Sequence, residues 1–165
     1  MSDAMAIAAV SAVLRKLLLD AVGDLTTALG STVPVTAVPP DQAIGDGDEG
    51  PALNLFMYRV SQNPGWANVD LPQRTQSGRR VSNPPLALDL HYMLSAVGAQ
   101  DTHCEVLLGH GMQALHEHAV LPRGLIDAKL REVDSSDSMA GLLRTLARSG
   151  LSDQVEQVKL SPNFL

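Results

Sequence analysis

The run of residues 84–96 alternates apolar and mixed side chains, and it restricts the fold of this chain more than any other stretch. Counted by twos, one side carries Leu86, Leu88, Leu90, Tyr92, Leu94 and Ala96, and the other carries Ala87, Asp89, His91, Met93 and Ser95. This alternation predicts a long strand with only one face buried. The two prolines at its start favour extended backbone and donate no amide hydrogen, which suits the first residues of a strand.

Three helices are predicted around that strand. Apolar residues recur at intervals of three and four over residues 7–29, which indicates one long amphipathic helix that ends at Gly30. Thr102 and Glu105 have the spacing of a capping box and predict the start of a second helix. A third helix is predicted over residues 137–149 from its apolar spacing and the basic residues in its last turn.

Three further strands are predicted. Residues 33–38 form a short one, which Pro34 restricts to a sheet edge. Residues 53–60 are apolar on both sides and indicate a strand covered on both faces, and residues 154–160 alternate as a final strand. Strands and helices mix without regular βαβ alternation. The pattern therefore predicts a single α+β domain over residues 1–165, with a mixed, mainly antiparallel sheet of about four strands packed by three helices.

Composition narrows the class of protein and of ligand. The chain has 165 residues and a formal net charge of −6. Nucleic acid is therefore not expected as a partner, because such binding needs a basic surface. The single cysteine, Cys104, excludes an internal disulfide and suits a reducing compartment. Charged residues interrupt the first helix and argue against a membrane span, and the N-terminus lacks the basic region of a secretory signal. The interrupting residues are Arg15, Lys16, Asp20 and Asp24.

Two connecting segments carry clustered charge. In the first, Asp46, Asp48 and Glu49 are potential calcium ligands, but their spacing lacks the EF-hand pattern and predicts a solvated turn. The second, residues 61–82, is longer than ordinary connections inside a domain. It contains Trp66, Arg74, Arg79 and Arg80. A local basic cluster on an acidic protein predicts docking to an acidic partner, and a merely solvated loop is the alternative.

The residues that most often carry chemistry do not assemble into a known site. His103 and His110 are two helical turns apart, too far to share one metal ion without other ligands. Asp89 and His91 share one side of the long strand, about 7 Å apart, like two members of a nucleophile triad. The chain has no Gly-x-Ser-x-Gly elbow, and Cys104 lies in an apolar helix stripe where thiols are usually inert. No catalytic, cofactor or metal site is predicted. A small hydrolase that uses Asp89, His91 and an unidentified nucleophile is the alternative.

Several segments together resemble one family. The strand motifs are LNLFMYRV at residues 53–60 and PPLALDLHY at residues 84–92. The others are NP at 63–64, NVDLP at 68–72, LLG at 107–109, MQALH at 112–116 and VKLSP at 158–162. Across nearly the whole chain these segments are similar to the tail-terminator or cap proteins of extracellular contractile injection systems, which are relatives of contractile phage tails.

The resemblance implies a fold like that of phage tail-terminator proteins and no catalytic residues. It implies a homo-oligomeric, sixfold ring that closes the distal end of the inner tube and contacts the sheath. Such a protein would assemble in the cytoplasm and leave with the particle. Relatives usually continue with a further helical segment, so either a C-terminal portion is missing or this is a minimal form.

A cap needs surfaces for its ring neighbours, the tube and the sheath. The residues expected at those interfaces are Trp66, Arg74, Arg79, Arg80, Asp89, His91 and Lys159. Edge strands such as residues 33–38 and 155–160 are expected to accept a strand from a sheath subunit. A soluble adaptor domain that serves no particle is the other alternative, and it would be a monomer.

Overall fold

The computed structural model describes residues 5–43, 50–65, 77–79, 86–98, 100–132, 141, 144–145 and 157–162. The helices are α1 (Ala6–Gly23), α2 (Leu25–Leu29), α3 (Pro40–Ala43), α4 (His103–Glu117) and α5 (Arg123–Arg131). The strands are β1 (Val35–Thr36), β2 (Ala52–Gln62), β3 (Leu88–Val97), β4 (Val120–Pro122) and β5 (Gln157–Lys159). This order of helices and strands confirms the α+β class.

The strands form two sheets in the described part of the chain. The larger has the order β1-β2-β3, with β1 parallel and β3 antiparallel to β2, and β4 pairs with β5 in a separate antiparallel sheet. The expectation of one sheet of about four strands is therefore corrected to three strands plus two. The difference arises from β4, whose three residues are too few to show any periodicity in the sequence.

One face of the larger sheet packs against α1 and α4. A Cβ added to Gly111 in α4 would lie 3.2 to 3.5 Å from Leu94, Leu53 and Leu18, so the helix backbone approaches both strands and α1 closely. Leu18 and Leu53 are fully buried. Burial of these aliphatic side chains, at roughly 1.5–3 kcal/mol each, is the main force that holds the helices on the sheet.

Both long predicted helices are present, with two differences in detail. The N-terminal helix is divided at Asp24 into α1 and α2, and it ends at Gly30 in the left-handed conformation that glycine favours. Thr102 occupies the position before α4 but has φ 69° and no capping hydrogen bond. The predicted capping box is therefore wrong, because a capping threonine needs extended backbone to reach the helix amides.

The C-terminal part differs most from expectation. Helix α5 was not predicted, although Ile126 and Leu130, both buried, have the spacing of one helix face. Of the predicted helix over residues 137–149 the structure describes residues 141 and 144–145, which are helical, and the remainder lies outside the described residues. The final strand is confirmed as β5.

Strand β2 is covered only at its beginning. Leu53, Asn54 and Leu55 are buried, whereas Tyr58, Arg59 and Val60 are all exposed. The expectation of a strand covered on both faces along residues 53–60 is wrong for its second half, where neither face is fully covered. The buried side chain of Asn54 is satisfied by two hydrogen bonds with the Val38 backbone. Its Oδ1 accepts from the Val38 amide at 3.1 Å, and its Nδ2 donates to the Val38 carbonyl at 3.0 Å.

Candidate interaction surfaces

The end of β2 and the beginning of β3 form a two-stranded antiparallel ribbon, which we define as residues 58–62 and 88–91. Arg59 pairs with His91, Val60 with Leu90 and Ser61 with Asp89 along the ribbon. Consecutive side chains of a strand point to opposite faces. The consecutive exposure of Tyr58, Arg59 and Val60 therefore leaves the β2 side of the ribbon open on both faces.

A β-bulge shapes the base of the ribbon. The register shifts between Met57 and Arg59, so that Tyr58 has no partner across the ladder. A bulge turns two neighbouring side chains toward one face. Tyr58 accordingly lies beside His91, with the ring centroids 6.0 Å apart and the planes tilted by 51°. Its side chain remains 59% exposed, which makes it the most accessible aromatic side chain of the described sheet.

Asp89 and His91 lie on the face that the alternation predicted, and each has a partner from β2 or the turn after it. Ser61 Oγ lies 2.9 Å from His91 Nε2, and Asn63 Nδ2 donates to Asp89 Oδ1 at 2.8 Å. Sequence analysis missed Ser61 and Asn63, because their contacts depend on the pairing of β2 with β3. The carboxylate of Asp89 is thus held by Asn63 instead of orienting the His91 ring.

Of the remaining expected interface residues, the structure describes Arg79 and Lys159. Arg79 is exposed next to Gly78, which has φ 78°. Lys159 is exposed on β5, in the other sheet, opposite Val120. Trp66, Arg74 and Arg80 lie outside the described residues.

A second surface is a groove between α1, α4 and α5, of about 310 Å³. This is the low end of the volume range of ligand pockets. Its apolar lining comes from Leu17, Ala21, Ala114 and Leu125, and its polar lining from Asp20, Glu117, His118 and Lys129. We call it the three-helix groove.

Lys129 organises the charge of the three-helix groove. Its ammonium lies 2.5 Å from Asp20 Oδ2 and 2.9 Å from Glu132 Oε2. The two carboxylates raise the pKa of Lys129, and Lys129 lowers the pKa of Glu132. From the neighbouring turn of α1, Lys16 donates to the Glu132 carbonyl, a favourable place for a cation at the end of α5. Lys129 thus bonds α5 to α1 through Asp20.

The rim of the three-helix groove has an excess of acidic groups. Glu117 accepts a hydrogen bond from Gln113 at 2.8 Å and forms no ion pair with any described residue. Asp20 and Glu132 already share Lys129. The carboxylate of Glu117 is therefore available to a cation from outside the chain.

No helix in the described ranges has the length and apolar character needed to cross a membrane. Among those same residues, no three His, Cys, Asp or Glu side chains are grouped so that they would hold a metal ion.

Comparison with known proteins gives one match. Residues 9–165 match a family model described as the Pvc16 N-terminal domain, which covers nearly the whole chain. No curated protein and no solved structure matches.

Proposed function

This chain belongs to the Pvc16 N-terminal domain family, which is linked to contractile, phage-tail-like injection systems, and from that premise we propose that it is the cap of such a particle. In this proposal a ring of six copies closes the distal end of the inner tube and contacts the last layer of sheath. The ring assembles in the cytoplasm and leaves the cell with the particle. The family match over residues 9–165 is the observation that carries the proposal.

The exposed surfaces support a role in assembly. A subunit of a cyclic ring needs two different surfaces, one for each neighbour. The ribbon, with exposed Tyr58 and Val60, and the three-helix groove, with its acidic rim, are two such surfaces. Leu86, just before β3, and Met93, within β3, add exposed apolar area, at 59% and 39%.

Sheet edges supply a contact of the kind that a sheath subunit would use. Within the described residues β1 and β3 are the two edges of the larger sheet, which confirms the edge position predicted for residues 33–38. An unpaired edge presents backbone amides and carbonyls that bind an added strand. Because β1 has only two residues and β3 has ten, we propose β3 as the main acceptor of a sheath strand.

Deletion of the gene tests the cap role directly. Without a terminator, tube and sheath should grow to uncontrolled lengths, and expression of the wild-type chain in the deletion strain should restore a narrow length distribution. Negative-stain electron microscopy measures both. An unchanged length distribution in the deletion strain would refute the proposal, as would labelling of the tagged chain anywhere other than the particle tip.

The basic segment of residues 61–82 offers a second test of the same proposal. We propose that Arg74, Arg79 and Arg80 face a ring neighbour or the tube. Reversal of all three to Glu should leave the purified chain folded and should lower the fraction of capped particles, because each introduced glutamate would repel an acidic partner surface. Circular dichroism checks the fold, and an undiminished capped fraction would remove this segment from the interface.

One observation favours a second candidate, a small hydrolase. The Ser61 hydroxyl lies 2.9 Å from His91 Nε2, as a nucleophile lies beside its base. Against it, Asp89 is bonded to Asn63 and does not orient the ring. Hydrolysis of an activated ester by wild type, Ser61→Ala and His91→Ala decides between the two candidates. We expect equal, background rates, and a rate that both substitutions abolish would establish the hydrolase.

A further inference from the structure

We infer that neighbouring copies in the ring join head to tail, with the bulge segment of one copy seated in the three-helix groove of the next. The bulge segment consists of Tyr58, Arg59 and Val60, at the base of the ribbon. This inference rests on the proposed function, since it names the contact between copies that would close the cap.

The ribbon and the groove lie toward opposite ends of α1. Near its beginning, Ser11 contacts Tyr92, which pairs with Met57 at the base of the ribbon. Further along, Leu18 approaches Leu53 at the start of β2, as their common closeness to Gly111 shows. The direction of β2 from Leu53 to Met57 is thus opposite to that of α1.

This opposition separates the two surfaces within one molecule. Asp20 and Ala21, which line the groove, lie about 15 Å along α1 from Ser11, because a helix rises 1.5 Å per residue. Tyr58 follows Met57, whose partner Tyr92 contacts Ser11, so the bulge segment lies at the Ser11 end of α1. It therefore cannot enter the groove of its own chain. Two different surfaces at opposite ends are what a heterologous, ring-forming contact requires.

The bulge segment and the groove match in their apolar character. Tyr58 and Val60 are 59% and 42% exposed, which is unusually accessible for such side chains on a sheet. The groove has an apolar floor of four side chains and an opening of about 310 Å³. Tyrosine is among the residues that most often anchor protein interfaces, because its ring fills an apolar pocket while its hydroxyl keeps a polar contact.

Their charges are also complementary. Arg59 is exposed and forms no ion pair with a described residue. The groove rim has the carboxylate of Glu117, which likewise has no cationic partner among those residues. Arg59 lies next to Tyr58. If the side chain of Tyr58 occupies the groove, the guanidinium of Arg59 reaches the rim. Opposite charges at a contact favour the correct pairing of surfaces and penalise incorrect ones.

A charge-swap experiment in the deletion strain tests the pairing. Arg59→Glu and Glu117→Arg should each reduce the amount of chain on purified particles at least about tenfold, since like charges at a contact cost several kcal/mol. The double variant should recover most of the wild-type amount. Glu105→Arg is the matched control, because Glu105 is exposed on the first turn of the same helix, far from the groove, and it should behave as wild type.

Disulfide trapping gives an independent readout if a charge variant fails to fold. In a Cys104→Ser background, Tyr58→Cys combined with Ala21→Cys should give oxidised dimers and higher oligomers on assembled particles, whereas either cysteine alone should not.

The outcomes separate this contact from the cap role. If particles are capped by the wild type but the swap does not restore binding and no crosslink forms, the head-to-tail contact is wrong and the cap stands. If the deletion strain has normal particle lengths and wild type is absent from the tips, the cap proposal and this contact fall together.

Discussion

The hydroxyl groups of Ser11 in α1 and Tyr92 in β3 lie 2.7 Å apart and join the N-terminal helix to the sheet. Ser11 also donates its hydrogen to the Ile7 carbonyl at 3.1 Å. A serine hydroxyl has a single hydrogen to donate, so Tyr92 is the donor in the contact between them. This bond fixes α1 over the base of the ribbon.

Tyr92→Phe should lower the free energy of unfolding by about 1 kcal/mol, the typical net contribution of one hydrogen bond, because it removes the donor to Ser11 and keeps the ring. Urea denaturation followed by circular dichroism measures the loss. Tyr58→Phe is the control, since the Tyr58 ring is largely exposed and should give no measurable change. Equal effects at both positions would show that the Ser11 bond does not stabilise the fold.

Tyr92 should also ionise at a higher pH in the folded protein than in the unfolded chain. Burial raises the pKa of Tyr92. The chain has two tyrosines, so the Tyr58→Phe variant isolates Tyr92. Its tyrosinate absorbance should appear above pH 10, roughly the value for the same variant in urea. Because the folded-state pKa is the higher one, stability is retained below the unfolded value and is lost as the pH rises through the folded value. Identical titrations in buffer and in urea would contradict the burial of Tyr92.

Two glycines of α4 offer a matched test of the packing between helix and sheet. Nothing lies within 4 Å of a Cβ built on Gly109, so Gly109→Ala should stabilise the protein by about 0.8 kcal/mol through helix propensity. The same Cβ on Gly111 would lie 3.2 Å from Leu94 Cδ2. Gly111→Ala should therefore give a smaller gain or a loss, because Leu94 must move.

A bulkier substitution at the same two positions strengthens that comparison. Gly111→Val should destabilise by roughly 1–3 kcal/mol, as overfilled cores do, whereas Gly109→Val should be close to neutral. Thermal denaturation of the four variants measures the order. If the Gly111 variants are as stable as their Gly109 counterparts, α4 does not pack against Leu94 and Leu53 as described.

The elements that sequence analysis predicted correctly are those whose own residues carry a repeated pattern. The long strand, the N-terminal helix and α4 each have many residues with one period, and β1 was placed at an edge through Pro34. The expected burial of Leu86 is wrong, because Leu86 lies before the first paired residue of β3 and is 59% exposed. By contrast, β4 has only three residues, and it is a strand only because it pairs with β5, which is distant in sequence. The residues of β4 and β5 do not reveal this pairing, so their separate sheet could not be predicted.

The candidate surfaces show the same division between local and non-local information. Alternation along β3 placed Asp89 and His91 on one face correctly. The bulge at Tyr58 and the contacts of Ser61 and Asn63 follow from the register between β2 and β3, which no local pattern specifies. The three-helix groove was not predicted, because it needs α5 to dock against α1 through Lys129.

Lys129→Met should test that docking. Lys129 is 18% exposed and Asp20 52% exposed, so water weakens their attraction, and we expect the variant to lose about 0.5–1 kcal/mol of stability at neutral pH. Arg131→Met is the control on the same helix. Its pair with Asp127 at 2.8 Å lies within α5, on a side chain that is 69% exposed, and its loss should be smaller.

The pH dependence of the loss at Lys129 should have a defined sign. Lys129 lowers the pKa of Glu132, so this contribution is present above about pH 4.3, the value of an unperturbed glutamate, and disappears as the pH falls through the lowered folded-state value. The carboxylates raise the pKa of Lys129, so its contribution is present below about pH 10.4 and disappears as the pH rises through the raised value. The stability difference between wild type and Lys129→Met should therefore be constant from about pH 5 to pH 9 and should become smaller in acid. Urea denaturation from acid to about pH 9 measures it. A difference that does not change where Glu132 is protonated would mean that the pair of Lys129 with Glu132 does not contribute to it.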